Sequence, residues 1–295
     1  MAGGNMQIAD KILRSSNQPL TPSSLGCGAS GKEFDFNTLR LSSSRDLAWS
    51  EFGCLEGRPV LFFHSSGSSR LEASLFHEHA KRSGIRLIAA DRPGIGRSEF
   101  SFSDTPEPFG HDLIELLDHL ALAVVSTLTL GHGAVYALAL ARITPARIKE
   151  QVSLGAIPCG PLLTMRGAGR LRPWLNKGVA KLIRHGWALR ELLDRQSMGT
   201  YIDTLRRELC GFDQRALNSS ELRRILLMDR REALYQGSRG MAQDESIGFA
   251  PFDYQLAELT LDVDFWQGRG DDERLGRTSF LLAQQLPKGR AHIVS

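Results

Sequence analysis

The stretch Arg86-Leu87-Ile88-Ala89-Ala90-Asp91-Arg92-Pro93-Gly94-Ile95-Gly96-Arg97-Ser98 decides the fold. Leu87 to Ala90 is an unbroken apolar run, as a strand buried on both faces requires, and it stops at an aspartate, a proline and two glycines. Gly94 and Gly96 suit a tight turn, and Asp91 suits hydrogen bonding within the loop. The segment therefore reads as a strand followed by a structural loop that does no chemistry itself. Pro59 to His64 reads the same way one strand earlier and also ends in a polar loop, Ser65 to Ser69.

Outward from these two strands, short β-rich runs alternate with helical patterns. Phe36 to Leu41 and Leu47 to Phe52 predict an opening antiparallel pair, and Leu71 to Ser83 predicts a helix. Leu113, Leu116, Leu117 and Leu120 fall at i, i+3, i+4 and i+7 of a helix, and Thr127 to Leu130 is a strand that runs into Gly131. Val135 to Ile143 is an apolar helix. Gln151 to Ala156, Val263 to Gln267 and Ala291 to Val294 complete the strands, with a helix over Thr278 to Leu286. This rhythm predicts an α/β fold, a mostly parallel eight-stranded sheet flanked by helices. Residues 160–250 break the rhythm with helical periodicity and abundant Arg and Leu, so they read as a helical cap inserted between core segments 36–159 and 251–295. Residues 1–34, rich in Ser, Gly, Asn and Pro, read as a disordered tail with only a faint likeness to a transit peptide.

With 42% apolar and 23% charged residues, the 295-residue chain is not disordered as a whole. No apolar run approaches the ~18 residues of a membrane-spanning helix. Cys27, Cys54, Cys159 and Cys210 have the spacing of neither a disulfide framework nor a metal site, so a reducing, cytoplasmic setting is expected. The net charge of +3 conceals an excess in residues 161–240, which hold 16 Lys and Arg against 8 Asp and Glu. The arginines alternate with leucines at helical spacing, and Glu191, Asp194, Glu208, Glu221 and Glu232 partly balance them, which describes a solvated helix face rather than a nucleic-acid surface. No Gly-rich phosphate loop is present, and no cofactor is expected.

Three segments at the carboxyl ends of predicted strands together resemble the α/β-hydrolase superfamily. Val60 to Arg70 is similar to the family's strand and HG-x-P-x-S-R loop, with Ser65 where glycine is usual. Asp91 to Ser98 matches its D-x-x-G-x-G-x-S signature, and Asp264 to Asp271 is similar to its strand and G-x-x-D turn. The resemblance runs from about residue 36 to 295. It implies cofactor-free serine-hydrolase chemistry of the esterase or lipase kind on a small apolar acyl substrate, with Asp271 as triad acid and the backbone N–H groups of Ser66 and Ala134 as oxyanion hole. Asp271 also reads as a turn residue, with Asp272 beside it. Ligands of an open parallel sheet bind at the carboxyl ends of its strands near a switch point, so the loops after His64, Asp91, Leu130 and Trp266 should share one crevice.

The chain departs from the pattern where the nucleophile belongs. Thr129-Leu130-Gly131-His132-Gly133-Ala134-Val135-Tyr136 occupies the place of the G-x-S-x-G elbow, and the nucleophile position is Gly133. Inserting Ser-Gly after His132 would restore the usual form, so the run resembles an elbow two residues short. Such a loss rotates the following helix by about 200° and should weaken the region locally. The family's triad histidine follows the last strand, and here Ala291 to Ser295 is that strand with nothing after it. His292 is expected within the strand, packing or facing solvent. His64 and His132 are expected to line the crevice, each a weaker candidate for the base, with Ser65, Ser66, Ser68 and Ser69 nearby.

These readings predict a hydrolase-type chain with weak or no activity as it stands. The alternatives are a non-catalytic protein binding a hydrophobic ligand or a protein partner, the latter through exposed C-terminal sheet surface, and an incomplete product of an active hydrolase gene.

Overall fold

A computed structural model describes residues 35–156, 181–182, 185–187, 200–209, 211–250, 254–269 and 273–294. The expected tail 1–34, much of 160–200 and Asp271 lie outside these described residues.

Eight strands form one sheet: β1 (Asn37–Arg40), β2 (Asp46–Gly53), β3 (Arg58–Phe63), β4 (Ile85–Ala90), β5 (Val125–Leu130), β6 (Ile148–Leu154), β7 (Val263–Gly268) and β8 (Gly289–Val294). Their order is β1-β2-β4-β3-β5-β6-β7-β8. β1 and β2 run antiparallel at one edge, and every pair from β4 to β8 is parallel. The chain leaves β3 for β4 on one side and returns to β5 on the other. The carboxyl ends of β3 and β5 thus flank the switch point, in register through Phe63 and Thr129.

Alternation along β3 explains both layers. Leu61 and Phe63 pack on one face with α2 (Glu107–His119) and α3 (Gly133–Ile143), whereas Val60 and Phe62 face the other way. That second face is covered by a 3-10 helix, Arg70–Phe76, and by α1 (His77–Arg82). The expected helix over Leu71 to Ser83 is therefore two elements. Ser69 caps the first by accepting from Leu71 N–H, and Asp91 grips the backbone N–H of Arg70 at 2.7 Å, so tertiary contacts set the tighter winding. β6 begins at Ile148 and ends at Leu154, displaced toward the N-terminus from the expected Gln151 to Ala156. α8 (Glu273–Gln285) includes the expected helical residues Thr278 to Gln285 and packs against β7 and β8 through Leu282, Ala283, Val263 and Phe265.

Between β6 and β7 the described residues form α4 (Tyr201–Glu208), α5 (Gly211–Ala216), α6 (Ser220–Ala233) and α7 (Arg239–Phe249). α6 packs on the 3-10 helix, and α7 lies across the loops at the strand ends. Among the described residues no helix is long and apolar enough to cross a membrane. β8 is the free edge opposite β1, with Ile293 53% and Val294 37% exposed.

Candidate functional site

The D-x-x-G-x-G-x-S loop is built around Asp91. Its carboxylate accepts from Arg70 N–H (2.7 Å), Arg70 Nη1 (2.5 Å) and Arg97 N–H (2.9 Å) in a fully buried position. Gly96 has φ +54°, and a Cβ there would lie 2.1 Å from Asp91 Oδ2. Both signature residues are thus explained by the loop's own packing, as its sequence suggests.

After β5, Gly131 takes φ +49° and donates its N–H to Leu154 O at 2.9 Å, which ties the turn to β6. His132 is in ordinary right-handed helical conformation, and Gly133 opens α3. A Cβ at Gly133 would lie 2.4 Å from Phe63 O and 2.8 Å from Phe63 Cβ, so this glycine touches the backbone of β3. Ala134 is buried, and its N–H points to Gly131 O at 3.4 Å. Among His132, Gly133 and Ala134 the backbone is a plain helix start, without the strained conformation of a nucleophile turn. Gly133 to Ala141 are all buried, so α3 is apolar all round rather than on one face.

At the carboxyl ends of β3 and β5 the structure holds a polar network. Arg92 donates from Nη1 to His64 O (2.7 Å) and from Nη2 to Ser65 O (2.9 Å) and Asp244 Oδ2 (2.8 Å). Its guanidinium stacks over the Tyr136 ring at 4.8 Å, and Tyr136 donates its hydroxyl to Asp244 Oδ1 at 2.7 Å. His132 Nε2 donates to Asp244 O at 2.9 Å. Its Cε1 would be 1.7 Å from a Cβ at Gly248, so α7 crosses the site at a glycine. The cavity beside Arg92, Tyr136 and Asp244 measures about 20 Å³, room for about one water.

Burial, the largest single influence, would raise Asp244, but the Arg92 guanidinium together with the neighbouring His132 and His64 and the Tyr136 hydroxyl holds the carboxyl below its ordinary range. Burial, then the Arg92 charge, pushes His64 well down; burial also pushes His132 down, against the attraction of Asp244. Tyr136 is driven well above its ordinary value by burial and then by Asp244. His64 Nδ1 donates to Ser65 O at 3.0 Å, so its Nε2 is a lone-pair nitrogen, buried with no hydrogen-bond partner. Both imidazoles are neutral at pH 7 and buried, and neither lines the cavity beside Arg92, Tyr136 and Asp244.

Ser66 stands at the edge of this network, its Oγ 3.5 Å from Glu245 Oε1 of α7. Ser65 and Ser68 donate to Glu72, and Ser69 donates to Asp229, so these hydroxyls serve loop packing. His292 lies in β8 as expected, stacked on Trp266 (4.4 Å) with Nε2 2.6 Å from Asp264 Oδ1. Sequence reasoning did not find Arg92, Tyr136 and Asp244. Arg92 lies inside the quoted signature, but nothing in the sequence around Asp244 marks it as a partner.

No family model matches the chain. Over 163 residues it is 26% identical to proline iminopeptidase of Neisseria meningitidis, which covers 52% of this chain and 48% of that protein. It thus spans about half the length of the curated relatives it matches. Among solved structures, a hydrolase from Pseudomonas aeruginosa superposes with TM-score 0.63 at 17% identity, over 90% of this chain and 91% of the other. An enol-lactonase from Burkholderia xenovorans does so with TM-score 0.62 at 17% identity, over 88% and 91%. For a thermophilic esterase from Thermogutta terrifontis the TM-score is 0.58 at 19% identity, over 88% and 89%.

Proposed function

The chain has the α/β-hydrolase fold, and on that premise we propose that it is a cofactor-free hydrolase scaffold for small apolar esters whose own hydrolytic activity is negligible. The contact between Gly133 and Phe63 O carries this reading: the nucleophile position has neither a side chain nor space for one. The Arg92–Asp244–Tyr136 network supports it, because among the described residues a buried ion pair occupies the space at the ends of β3 and β5. The names of the similar proteins, which are hydrolases, lactonases and peptidases, support the ester and acyl class. The insertion acts as the cap, and Ser66 and Ala134 mark the remains of an oxyanion site that no longer has a carbonyl to receive. Asp271, the sequence candidate for the triad acid, lies outside the described residues. Without a nucleophile, the remaining groups of a triad provide only small acceleration.

Purified protein should turn over p-nitrophenyl acetate no faster than buffer and should take up no fluorophosphonate. Saturable turnover abolished by the fluorophosphonate would refute the reading.

A second reading, binding of a hydrophobic ligand, is favoured by a separate cleft of about 380 Å³ between α6 and the sheet domain. Phe36, Leu71, Met228 and Tyr235 form its apolar half and Arg70, Arg97, Arg231 and Glu232 its charged half, with Arg97 stacked on the Tyr235 ring at 3.5 Å. A thermal-shift series with fatty-acid and aromatic ligands tests it, and no shift with either class rules it out.

A further inference from the structure

Among the carboxylates through which the described part of the helical insertion meets the sheet domain, Asp229, Glu232 and Asp244 are not alike. Glu232 accepts from Arg70 Nη1 (2.7 Å) and Arg97 Nε (2.9 Å), and Asp244 accepts from Arg92. Asp229, on α6 and 1% exposed, makes no ion pair among the described residues. The charge facing it is another carboxylate, Glu72 of the 3-10 helix, also buried.

Both acids grip the Ser65–Ser69 loop. Ser65 N–H (2.6 Å), Ser65 Oγ (2.5 Å) and Ser68 Oγ (3.1 Å) donate to Glu72. Ser69 N–H (2.9 Å) and Ser69 Oγ (2.6 Å) both donate to Asp229 Oδ1. Two carboxylates in a dry interface do not both ionise without large cost, so the pair retains a proton. Burial, the largest influence, pushes Glu72 up, against three donors and the Arg92 charge; Asp229, pushed up by burial and then by the Glu72 charge, is opposed by the Ser69 and Ser68 hydroxyls, so the shared proton sits more readily on Asp229.

We propose that Glu72 and Asp229 form a proton-operated latch between the helical insertion and the sheet domain, closed while the pair holds a proton and released as it is lost, uncovering the strand-end crevice. The inference concerns access to the crevice and stands whether or not esters are cleaved there.

Burial and then the Glu72 charge push Asp229 up from 3.8 to about 7. The closed state therefore holds an extra proton across that interval, and closing weakens about tenfold per pH unit as pH rises through it, levelling off above. The other charged groups around the pair are Arg230, whose Nη1 donates to Gly67 O, Arg70, already paired with Asp91 and Glu232, and Glu245 near Ser66. Arg92, Asp244, His64 and His132 lie on the crevice side. The two histidines act in the opposite sense, since both are held neutral when closed and gain protons when opened in acid. A comparison with Asp229→Asn isolates the latch from them.

The test is amide hydrogen exchange of the full chain, read at Ser69 and along α6 and corrected for intrinsic pH dependence. The ratio of protection in Asp229→Asn to that in the unaltered protein should rise up to roughly a hundredfold from about pH 5 to about pH 7 and stay level above. Glu72→Gln should shrink the pH step in the same segment. A ratio independent of pH overturns the proposal. So does a carboxyl-carbon resonance of Asp229 in the unaltered protein that titrates at the ordinary aspartate value, a measurement needing no variant. Ester turnover in the same samples is read separately: its appearance would overturn the functional reading above and leave the latch standing.

Discussion

Gly133→Ser places a hydroxyl at the nucleophile position, and the structure predicts that it restores nothing. The added Cβ would lie 2.4 Å from Phe63 O and 2.8 Å from Phe63 Cβ, where carbon and oxygen ordinarily approach to about 3.4 Å, so the start of α3 and β3 must part by about 1 Å. Neither side yields easily. Gly131 N–H is bonded to Leu154 O on β6, and Tyr136, one turn into α3, is bonded to Asp244. Overpacking of this kind costs about 1–3 kcal/mol, and replacing a helical glycine by serine offsets about 0.5 kcal/mol of it. The net is a loss of up to about 2.5 kcal/mol from a total of roughly 5–15 kcal/mol. Urea unfolding should show a lower midpoint with an unchanged slope, and thermal unfolding a fall of about 5 °C. Mass spectrometry after fluorophosphonate treatment should find no adduct. A variant as stable as the parent that carries an adduct on residue 133 would show a working nucleophile turn lacking only its side chain, and the reasoning above would be wrong.

Asp244→Ala leaves Arg92 buried without its counter-charge and Tyr136 without its acceptor, so urea unfolding should report a loss of about 3–5 kcal/mol, whereas Arg92→Lys should lose the bonds to His64 O and Ser65 O together. Gly96→Ala meets both a positive φ and the Asp91 carboxylate at 2.1 Å, and should cost at least as much as Gly133→Ser by the same measurement. His64 and His132 are lowered by burial, so the unfolded chain binds more protons than the folded one just below the ordinary histidine value; these two sites cost stability as pH falls through about 6.5. In nitrogen NMR their rings should stay neutral across that point, and an imidazole of either residue titrating at its ordinary value would contradict the burial described.

The parallel sheet was legible because its central strands are apolar without interruption, as both-face burial demands, and because glycine and aspartate punctuate their ends. Gly96 and the Asp91 bond to Arg97 were legible for the same local reason, since these contacts lie within six residues. The winding of Arg70–Phe76 was not, because Asp91 sets it from 21 residues away. The closed crevice was legible still less. His64 and His132 were expected to line it from their places at strand ends, but what covers them is α7, brought in by Arg92 and Asp244 across 152 residues of sequence. Periodicity marks α7 as helical without saying which of its polar residues faces an arginine. The glycine at 133 was visible as a missing nucleophile, whereas its contact with Phe63 depended on the approach of two backbones that no local pattern encodes.

The loop between β3 and the 3-10 helix takes its partners from far along the chain: Gly67 from Arg230, Ser69 from Asp229 and Arg70 from Glu232, at separations of 163, 160 and 162 residues. On a ribosome adding about 5–20 residues per second, that loop waits roughly 8–30 s for the helix that completes it. During the wait the Gly67 carbonyl and the Asp229-bound groups of Ser69 lack these partners, while Ser65, Ser68 and Arg70 can already meet Glu72 and Asp91. The native sheet is therefore assembled late, after most of the polypeptide has been made, and the yield of folded protein should depend on translation speed and on how well the nascent chain is shielded from its neighbours.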